Sequence, residues 1–306
     1  MEKTLTVLQE DKGRRLDAFV PEKLEAVSRT KVHHYIESGG IVVNGCTKKP
    51  SYRLKEGDTI TITINEEKKE VLKPYDFPVK IIYEDDDILV VDKPTGLVVH
   101  PPQDGFDKTL VNALIFLRKE LSTVNPKRAG VVHRLDKETS GVMVLAKNNY
   151  SHLNLVEQFR SRSVKKEYMA VVWGRVEKEN IVVDMPLGRD EKNRLRMRVS
   201  FSGARPAYTE ISVGKRFDDT TLLVVKPLTG RMHQIRVHLK FLGFPIVGDK
   251  KYGIKDPYKD LFLHSRKLSI YHPRSGEQLS FSACVPERFE RFIKERDVHD
   301  TTFGRG

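Results

Sequence analysis

The sequence predicts an α+β fold in two parts, and three observations carry the prediction. Residues 14 to 64 read as two short helices followed by a small sheet. That sheet closes with Thr59-Ile60-Thr61-Ile62-Thr63-Ile64, whose strict alternation puts apolar side chains on one face and hydroxyls on the other. From Val79 onward, short apolar runs bounded by turn residues are interleaved with segments of helical periodicity. Between these parts, Glu66 to Pro78 is charged, poor in apolar residues and closed by Pro74 and Pro78, the composition of an interdomain linker or of a solvated loop. At 306 residues the chain can bury one small and one large core. The expected division is a small domain over 1–72, a linker over 73–78, a large domain over 79–296 and a frayed polar tail over 297–306.

Composition narrows the classes of function. No run of about 18 apolar residues is present, so no transmembrane helix is expected. The start, Met1 to Val7, lacks the apolar core of a signal peptide. Cys46 and Cys284 form no CxxC pair and read as reduced thiols of a cytoplasmic protein. A net charge of +12 favours a polyanionic partner, RNA or DNA before an anionic membrane. Residues 1–72 hold 13 Lys+Arg and 12 Asp+Glu, so nearly all of the surplus belongs to the large domain. No glycine-rich nucleotide loop and no metal-ligand spacing occurs, and neither cofactor nor metal is expected.

In the small domain, Arg14-Arg15-Leu16-Asp17 opens an apolar-periodic stretch that Pro21 interrupts or bends. Ser28 is placed to cap a second helix, Arg29 to Ser38, which ends at Gly39-Gly40. Ile41-Val42-Val43 is a strand entering an Asn44-Gly45 hairpin turn, and Lys55-Glu56-Gly57-Asp58 makes another turn before the alternating strand. The Leu16-Asp17, Ser28-Arg29, Val43-Asn44-Gly45 and Gly57-Asp58 elements, in this order and spacing, resemble the αL RNA-binding module of the ribosomal-protein-S-four type. The resemblance implies that Arg14, Arg15, Arg29 and Lys31, near the helix starts, contact RNA. On charge alone they equally suit the solvated face of a generic small domain, and a balance of +1 requires any affinity to come from one face.

The large domain begins with two strands, Val79 to Tyr83 and Ile88 to Val91, joined by Glu84-Asp85-Asp86-Asp87, which reads as a hairpin turn rather than a metal site. In Asp92-Lys93-Pro94-Thr95-Gly96, Lys93 either reaches a substrate phosphate or supports a neighbouring loop. Thr109 caps a helix whose Leu110, Ala113, Leu114, Leu117 and Leu121 recur on one face. A second helix, Asn149 to Ser161, is expected to turn Leu153, Val156 and Phe159 inward. Between the two lies the centre of the domain, His133-Arg134-Leu135-Asp136-Lys137-Glu138-Thr139-Ser140-Gly141, followed by the apolar run of a buried strand. A rigid strand would hold a loop with one acid, Asp136, between two cations that keep it ionised and able to act as nucleophile or base. The same residues make an ordinary solvated turn, and composition by itself favours the turn.

Farther on, the basic loop Arg160 to Lys166 feeds a strand carrying Tyr168, which on its own evidence is a core tyrosine. Lys192 to Val199 alternates base and apolar residue after Asn193, the pattern of a strand with either a nucleic-acid-binding or a solvated outer face. As a strand it would set Arg194, Arg196 and Arg198 on one face at spacings of about 6.6 Å, suited to a nucleic-acid backbone. His233 and His238 match no standard metal spacing.

The contiguous stretch from His133 to Gly141 resembles the catalytic loop of the RluA/RluD-type pseudouridine synthases. Asp92-Lys93-Pro94-Thr95-Gly96, Gly230-Arg231-Met232-His233-Gln234-Ile235-Arg236 (Met232 where Thr is usual), Gly243 to Asp249, Tyr252-Gly253 and Leu263-His264 extend the likeness over most of 79–290. The resemblance implies a mixed, largely antiparallel sheet around an RNA cleft. It implies an isomerase that breaks the N-glycosidic bond of uridine, turns the uracil and rejoins it through carbon without a cofactor. By resemblance Asp136 is the catalytic aspartate, Arg236 pairs with it, Tyr168 packs against the uracil, and Arg134 fills the gap left by a flipped base. The implied partner is RNA, large-subunit ribosomal RNA first, and a monomer is expected. A non-catalytic RNA-binding or ribosome-assembly factor on the same fold is the second class, opposed by the presence of Asp136, Tyr168 and Arg236. A methyltransferase is disfavoured by the missing glycine-rich loop.

Overall fold

Alternation in the last strand of the small domain dictates a one-sided sheet, and the computed structural model contains one. It describes residues 2–24, 29–63, 72–103 and 105–302, and the chain divides into two units, Met1–Glu70 and Val71–Gly306. In the first unit, β1 (Glu2–Thr6), β2 (Ile41–Val43) and β3 (Thr59–Thr63) form an antiparallel sheet in the order β1-β3-β2. Ile60 and Ile62 are fully buried against Leu16, Phe19 and Val20 of α1 (Leu16–Lys23) and Val32 and Ile36 of α2 (Arg29–Glu37). Pro21 lies inside α1, where it offers no N–H to the preceding turn, and the helix ends at Lys23. Asn44 and Gly45 both take positive φ, 52° and 74°, as a type I′ turn requires, and Val43 and Cys46 exchange hydrogen bonds across it at 2.9 and 3.0 Å. Ser28, the expected cap, lies outside the described residues.

The second unit is built on a nine-stranded sheet. Its strands are β4 (Lys80–Glu84), β5 (Ile88–Lys93), β6 (Ser140–Ala146), β7 (Lys165–Trp173) and β8 (Asn180–Asp184), then β11 (Tyr208–Arg216), β12 (Thr220–Pro227), β13 (Leu263–Tyr271) and β14 (Gln278–Ser282). The short strands β9 (Leu187–Arg189) and β10 (Met197–Val199) pair apart from it. The order is β4-β5-β6-β13-β7-β12-β11-β8 with β14 also on β13, and only the β6–β13 pairing is parallel. The helices are α3 (Leu110–Phe116), α4 (Asn149–Ser161), α5 (Gln234–Phe241) and α6 (Glu287–Thr302).

All seven residues of β6 are buried, which explains its unbroken apolar run. Val142, Val144 and Ala146 meet Leu155 of α4 on one face; Met143 and Leu145 meet Leu110 and Leu114 of α3 on the other. At the start of β6 the chain passes so close to β13 that a Cβ on Gly141 would lie 2.2 Å from the Ser265 carbonyl oxygen, and its φ of 119° suits glycine alone. The acidic hairpin is structural: Asp85 accepts from the N–H groups of Asp87 and Ile88, both at 2.8 Å. Thr109 caps α3, its hydroxyl accepting from the Asn112 N–H.

Three expectations are corrected. Residues 73–78 do not link; they lie on the large unit. Tyr75 N–H donates to the Asn112 carbonyl at 3.1 Å, the Asn112 side chain donates to the Lys73 carbonyl at 2.7 Å, and the stacked Tyr75 and Phe77 rings pack on the α3 core. In α4, Phe159 packs on the core as expected, but Leu153 and Val156 face solvent at 62% and 39% exposure, while Ser151, His152 and Leu155 are buried. A strict spacing of three walks about 60° round a helix at each step, so it cannot hold one face. The expected tail is helical through Thr302, and Asp297 is paired with Lys215 of β11.

Candidate active site

The loop from His133 to Thr139 hangs between the core and β6, and its backbone is held from below. Lys93, fully buried, donates to the carbonyls of Pro94 (2.9 Å), Leu97 (2.8 Å) and Lys137 (3.3 Å). Gly96 N–H donates to the Lys137 carbonyl and the Thr95 hydroxyl to that of Glu138, both at 2.8 Å. Lys93 is therefore the loop's support rather than a phosphate contact. Burial brings its pKa down to about 7, against the opposing pull of Asp136 and Glu138. The His133 ring stacks on Phe159 at 4.5 Å and accepts from Val144 N–H at 3.1 Å; burial lowers its pKa to about 3, so it is neutral. Leu135 is buried in the α3 core, which turns the next side chain, Asp136, to the open side.

Asp136 meets α5 there. Arg236 Nη1 stands 3.5 Å from Asp136 Oδ2 and 3.4 Å from Glu138 Oε2. The strong grip of Arg236 is on another acid. Its Nε and Nη2 donate to the two oxygens of Asp249 at 2.8 and 2.7 Å, and Asp249 also accepts the N–H groups of Lys251 and Tyr252 at 2.9 Å. The expected Arg236–Asp136 pair thus exists only as the third, loosest contact of a guanidinium whose fork belongs to Asp249. Burial opposes the charge of Arg236, but Asp249 outweighs it and the pKa is raised. Burial likewise pushes Asp249 up, and the Arg236 hydrogen bonds, its charge and the two backbone donors bring it net below the usual carboxylate range.

Tyr168, on β7, faces the same cleft. Burial pushes its hydroxyl up to about 12, with Asp136 adding and Ser265 subtracting. The cleft, of about 550 Å³, is lined by Asp136, Tyr168 and Arg236, and by the cations Arg134, Arg160, Arg162, Lys166 and Arg231. A carboxylate, a protonated phenol and a buried guanidinium at one end of a cationic groove can act on a polyanion while holding one nucleotide against the acid. His233 also lines it, with Nε2 3.9 Å from Asp136 Oδ2 and with left-handed backbone, φ 55°. Backbone of that kind in a residue with a side chain costs of order 1–3 kcal/mol and is held by its surroundings.

Sequence reasoning named Asp136, Tyr168, Arg236 and Arg134, and the fold brings all four to this cleft. It did not give roles to Asp249, His233 or Tyr252. Asp249 and Tyr252 lie in the Gly248-to-Gly253 segment, where an acid and a tyrosine in a basic stretch were the available signal. The arginine strand is corrected. Only Met197–Val199 is strand; Arg194 and Leu195 occupy a turn, Arg196 bends into β10, Leu195 is 74% exposed, and none of the three arginines lines the cleft. Asp190 causes this: its carboxylate accepts from the N–H groups of Lys192 and Asn193 and folds the segment into a turn. Arg198 is paired with Glu191.

The comparisons with known proteins agree with this geometry. The RNA pseudouridylate synthase family matches residues 87–241, and the S4 domain matches residues 14–60. This chain belongs to the RNA pseudouridylate synthase family. It is 42% identical over 296 residues to a ribosomal large subunit pseudouridine synthase D of Xanthomonas campestris, covering 92% of this chain and 88% of the relative. It is 41% identical over 295 residues to an uncharacterized RNA pseudouridine synthase of Bacillus subtilis, covering 95% and 96%. Among solved structures it resembles human RNA pseudouridylate synthase domain containing 1, with a TM-score of 0.57, 26% identity, and coverage of 74% of this chain and 87% of that one. As a member of the family the chain is an enzyme, an RNA pseudouridine synthase with a mixed, mostly antiparallel sheet and an N-terminal S4 domain that binds RNA.

In that S4 domain the expected contacts are unequal. Buried Asp17 gathers Arg15 through two hydrogen bonds (3.0 and 2.8 Å), Arg29 (3.0 Å) and His33 (2.8 Å). The Arg15 bonds lead, with His33 and Arg29 behind them, in holding its carboxyl far below the usual range against burial, which pushes it up. Arg15 and Arg29 remain exposed and oriented. Arg14 is already answered by Asp11 and Glu22. The Lys31 side chain lies outside the described residues.

Proposed function

We propose that this pseudouridine synthase isomerises specific uridines of large-subunit ribosomal RNA, with Asp136 as the residue that attacks or deprotonates the ribose. The observation that carries the assignment is the convergence of Asp136, Arg236 and Tyr168 at the end of one cationic cleft. The relatives named for large-subunit ribosomal RNA support the substrate. Reaching the anomeric carbon requires the uridine to leave its stack, at a cost of a few kcal/mol. Arg134, exposed and two residues before the acid, is placed to occupy the vacated position. Arg160, Arg162, Lys166 and Arg231 meet the flanking phosphates. Arg236, 3.5 Å from the Asp136 carboxylate, orients it, and Tyr168, kept protonated, packs on the uracil. The S4 domain recruits RNA through Arg15 and Arg29.

The test is a pseudouridine map of ribosomal and transfer RNA from cells lacking the protein and supplied with wild type or Asp136→Asn. Wild type should restore sites in large-subunit RNA and the variant none, while RNA affinity stays close to wild type. Restoration by the variant would remove Asp136 from the chemistry. Restored sites confined to transfer RNA would overturn the substrate.

A further inference from the structure

His233 lies beside the acid without a part in the reading above, and its hydrogen bonds define its chemistry. Its Nδ1 is 2.7 Å from the hydroxyl oxygen of Tyr252, which in turn accepts the Met197 N–H at 2.8 Å. A phenol has one proton to give. Among the described residues His233 Nδ1 is the acceptor within its reach, so the O–H donates to Nδ1 and that nitrogen is bare. Burial, joined by the charges of Arg236 and Lys251, outweighs the pull of Asp136 and Asp249, lowers the ring's pKa and keeps it neutral. A neutral imidazole with a bare Nδ1 carries its proton on Nε2.

That N–H faces the cleft next to Asp136. The 3.9 Å from Nε2 to Asp136 Oδ2 is too long for a direct hydrogen bond, and leaves both groups free to bond one intervening substrate atom. The ring is fixed from three sides. It packs edge-on against Tyr252 at 5.4 Å, its backbone is held left-handed, and the neighbouring Gln234 is tied to Thr229, Arg231, Tyr208 and Thr209. Tyr252 also lies under the Arg236 guanidinium at 5.3 Å, so one side chain sets both neighbours of the acid.

We propose that His233, fixed as the Nε2–H tautomer by Tyr252, donates a hydrogen bond to the ribose 2′-hydroxyl of the reacting uridine beside Asp136, and that Tyr252 is its positioning residue. The proposal rests on Asp136 being the residue that works on the ribose. In an RNA strand the 2′-hydroxyl is the one free hydroxyl of the internal ribose, and it neighbours the carbon at which the glycosidic bond breaks.

Two measurements on the full chain test it. Nitrogen NMR of labelled histidine, assigned with His233→Gln, should show a protonated Nε2 and a bare Nδ1 in wild type, and a mixture of tautomers in Tyr252→Phe. Single-turnover rates at saturating RNA should fall about tenfold or more in His233→Phe, less in Tyr252→Phe, and least in His233→Gln, whose amide N–H can still donate. An RNA with 2′-deoxyuridine at the target should bind wild type more weakly than the ribose form. His233→Phe should bind both alike. A protonated Nδ1 in wild type, equal losses in the Phe and Gln variants, or unchanged discrimination in His233→Phe would each overturn the proposal. The tautomer does not depend on turnover, so an active Asp136→Asn would sink the reading of the acid and leave the His233–Tyr252 arrangement to be judged separately.

Discussion

Asp249→Asn should be among the most damaging single-atom changes in the catalytic unit. The side chains of Arg236 and Asp249 are 2% and 0% exposed, joined by two hydrogen bonds of 2.8 and 2.7 Å. Neutralising one member of a buried pair leaves the other charge uncompensated, which costs about 3–5 kcal/mol. Asparagine keeps one oxygen for the Lys251 and Tyr252 N–H groups, so the loss should lie near the low end, at about 3 kcal/mol. Trp173 is the sole tryptophan and sits on β7, so urea unfolding followed by its fluorescence reports on this unit. With a slope of about 3 kcal/mol per molar urea, the midpoint should fall by about 1 M. The sign of the pH dependence follows from the depressed pKa of Asp249. Its contribution is fully present above the unfolded value near 3.9 and is lost as pH falls through the lower folded value, so the two proteins should converge below about pH 4. Turnover should fall as well, because a guanidinium released from Asp249 is free to collapse onto Asp136 and Glu138, 3.5 and 3.4 Å away. A midpoint shift under about 0.3 M at neutral pH would refute the reasoning, since it would mean that Arg236 finds equal compensation elsewhere.

Gly141→Ala should destabilise the same unit by about 3 kcal/mol or more, because its Cβ would lie 2.2 Å from the Ser265 carbonyl oxygen at a φ of 119°; an unchanged urea midpoint would contradict the contact. Lys93→Met keeps the bulk but removes the donor shared by three carbonyls, and should loosen the catalytic loop, read as faster amide exchange at Gly96. Because the folded pKa of Lys93 is depressed to about 7, wild-type stability should gain as pH rises from about 7 toward the unfolded value near 10.4, and Lys93→Met should lack that gain. Arg162→Gln should weaken RNA binding and make the slope of log affinity against log salt shallower by about 0.7–0.9, whereas an unchanged slope would take Arg162 off the phosphate path.

The features legible in the sequence are those in which a residue answers to its near neighbours. The Asn44-Gly45 turn is set by two positive φ angles, the α3 start by Thr109 beside Asn112, and the burial of Ile60 and Ile62 by a period of two. The loop bearing Asp136 could be located because a buried strand announces itself as an apolar run. Local rules failed where a contact from elsewhere won. Tyr75 and Phe77 turned an apparent linker into a layer on the core. In the arginine stretch one local rule overrode another: Asp190, two and three residues before its N–H donors, drew an apparent strand into a turn. The arrangement around the acid belongs to tertiary structure alone. Arg236 is 100 residues from Asp136, and the partner that claims its fork, Asp249, comes from the far side of α5. The likeness of the His133–Gly141 and Gly230–Arg236 stretches to the family's motifs could name the carboxylate and the guanidinium; which acid holds the fork and which is left open to substrate depends on burial and distance, and these exist only once the chain has folded.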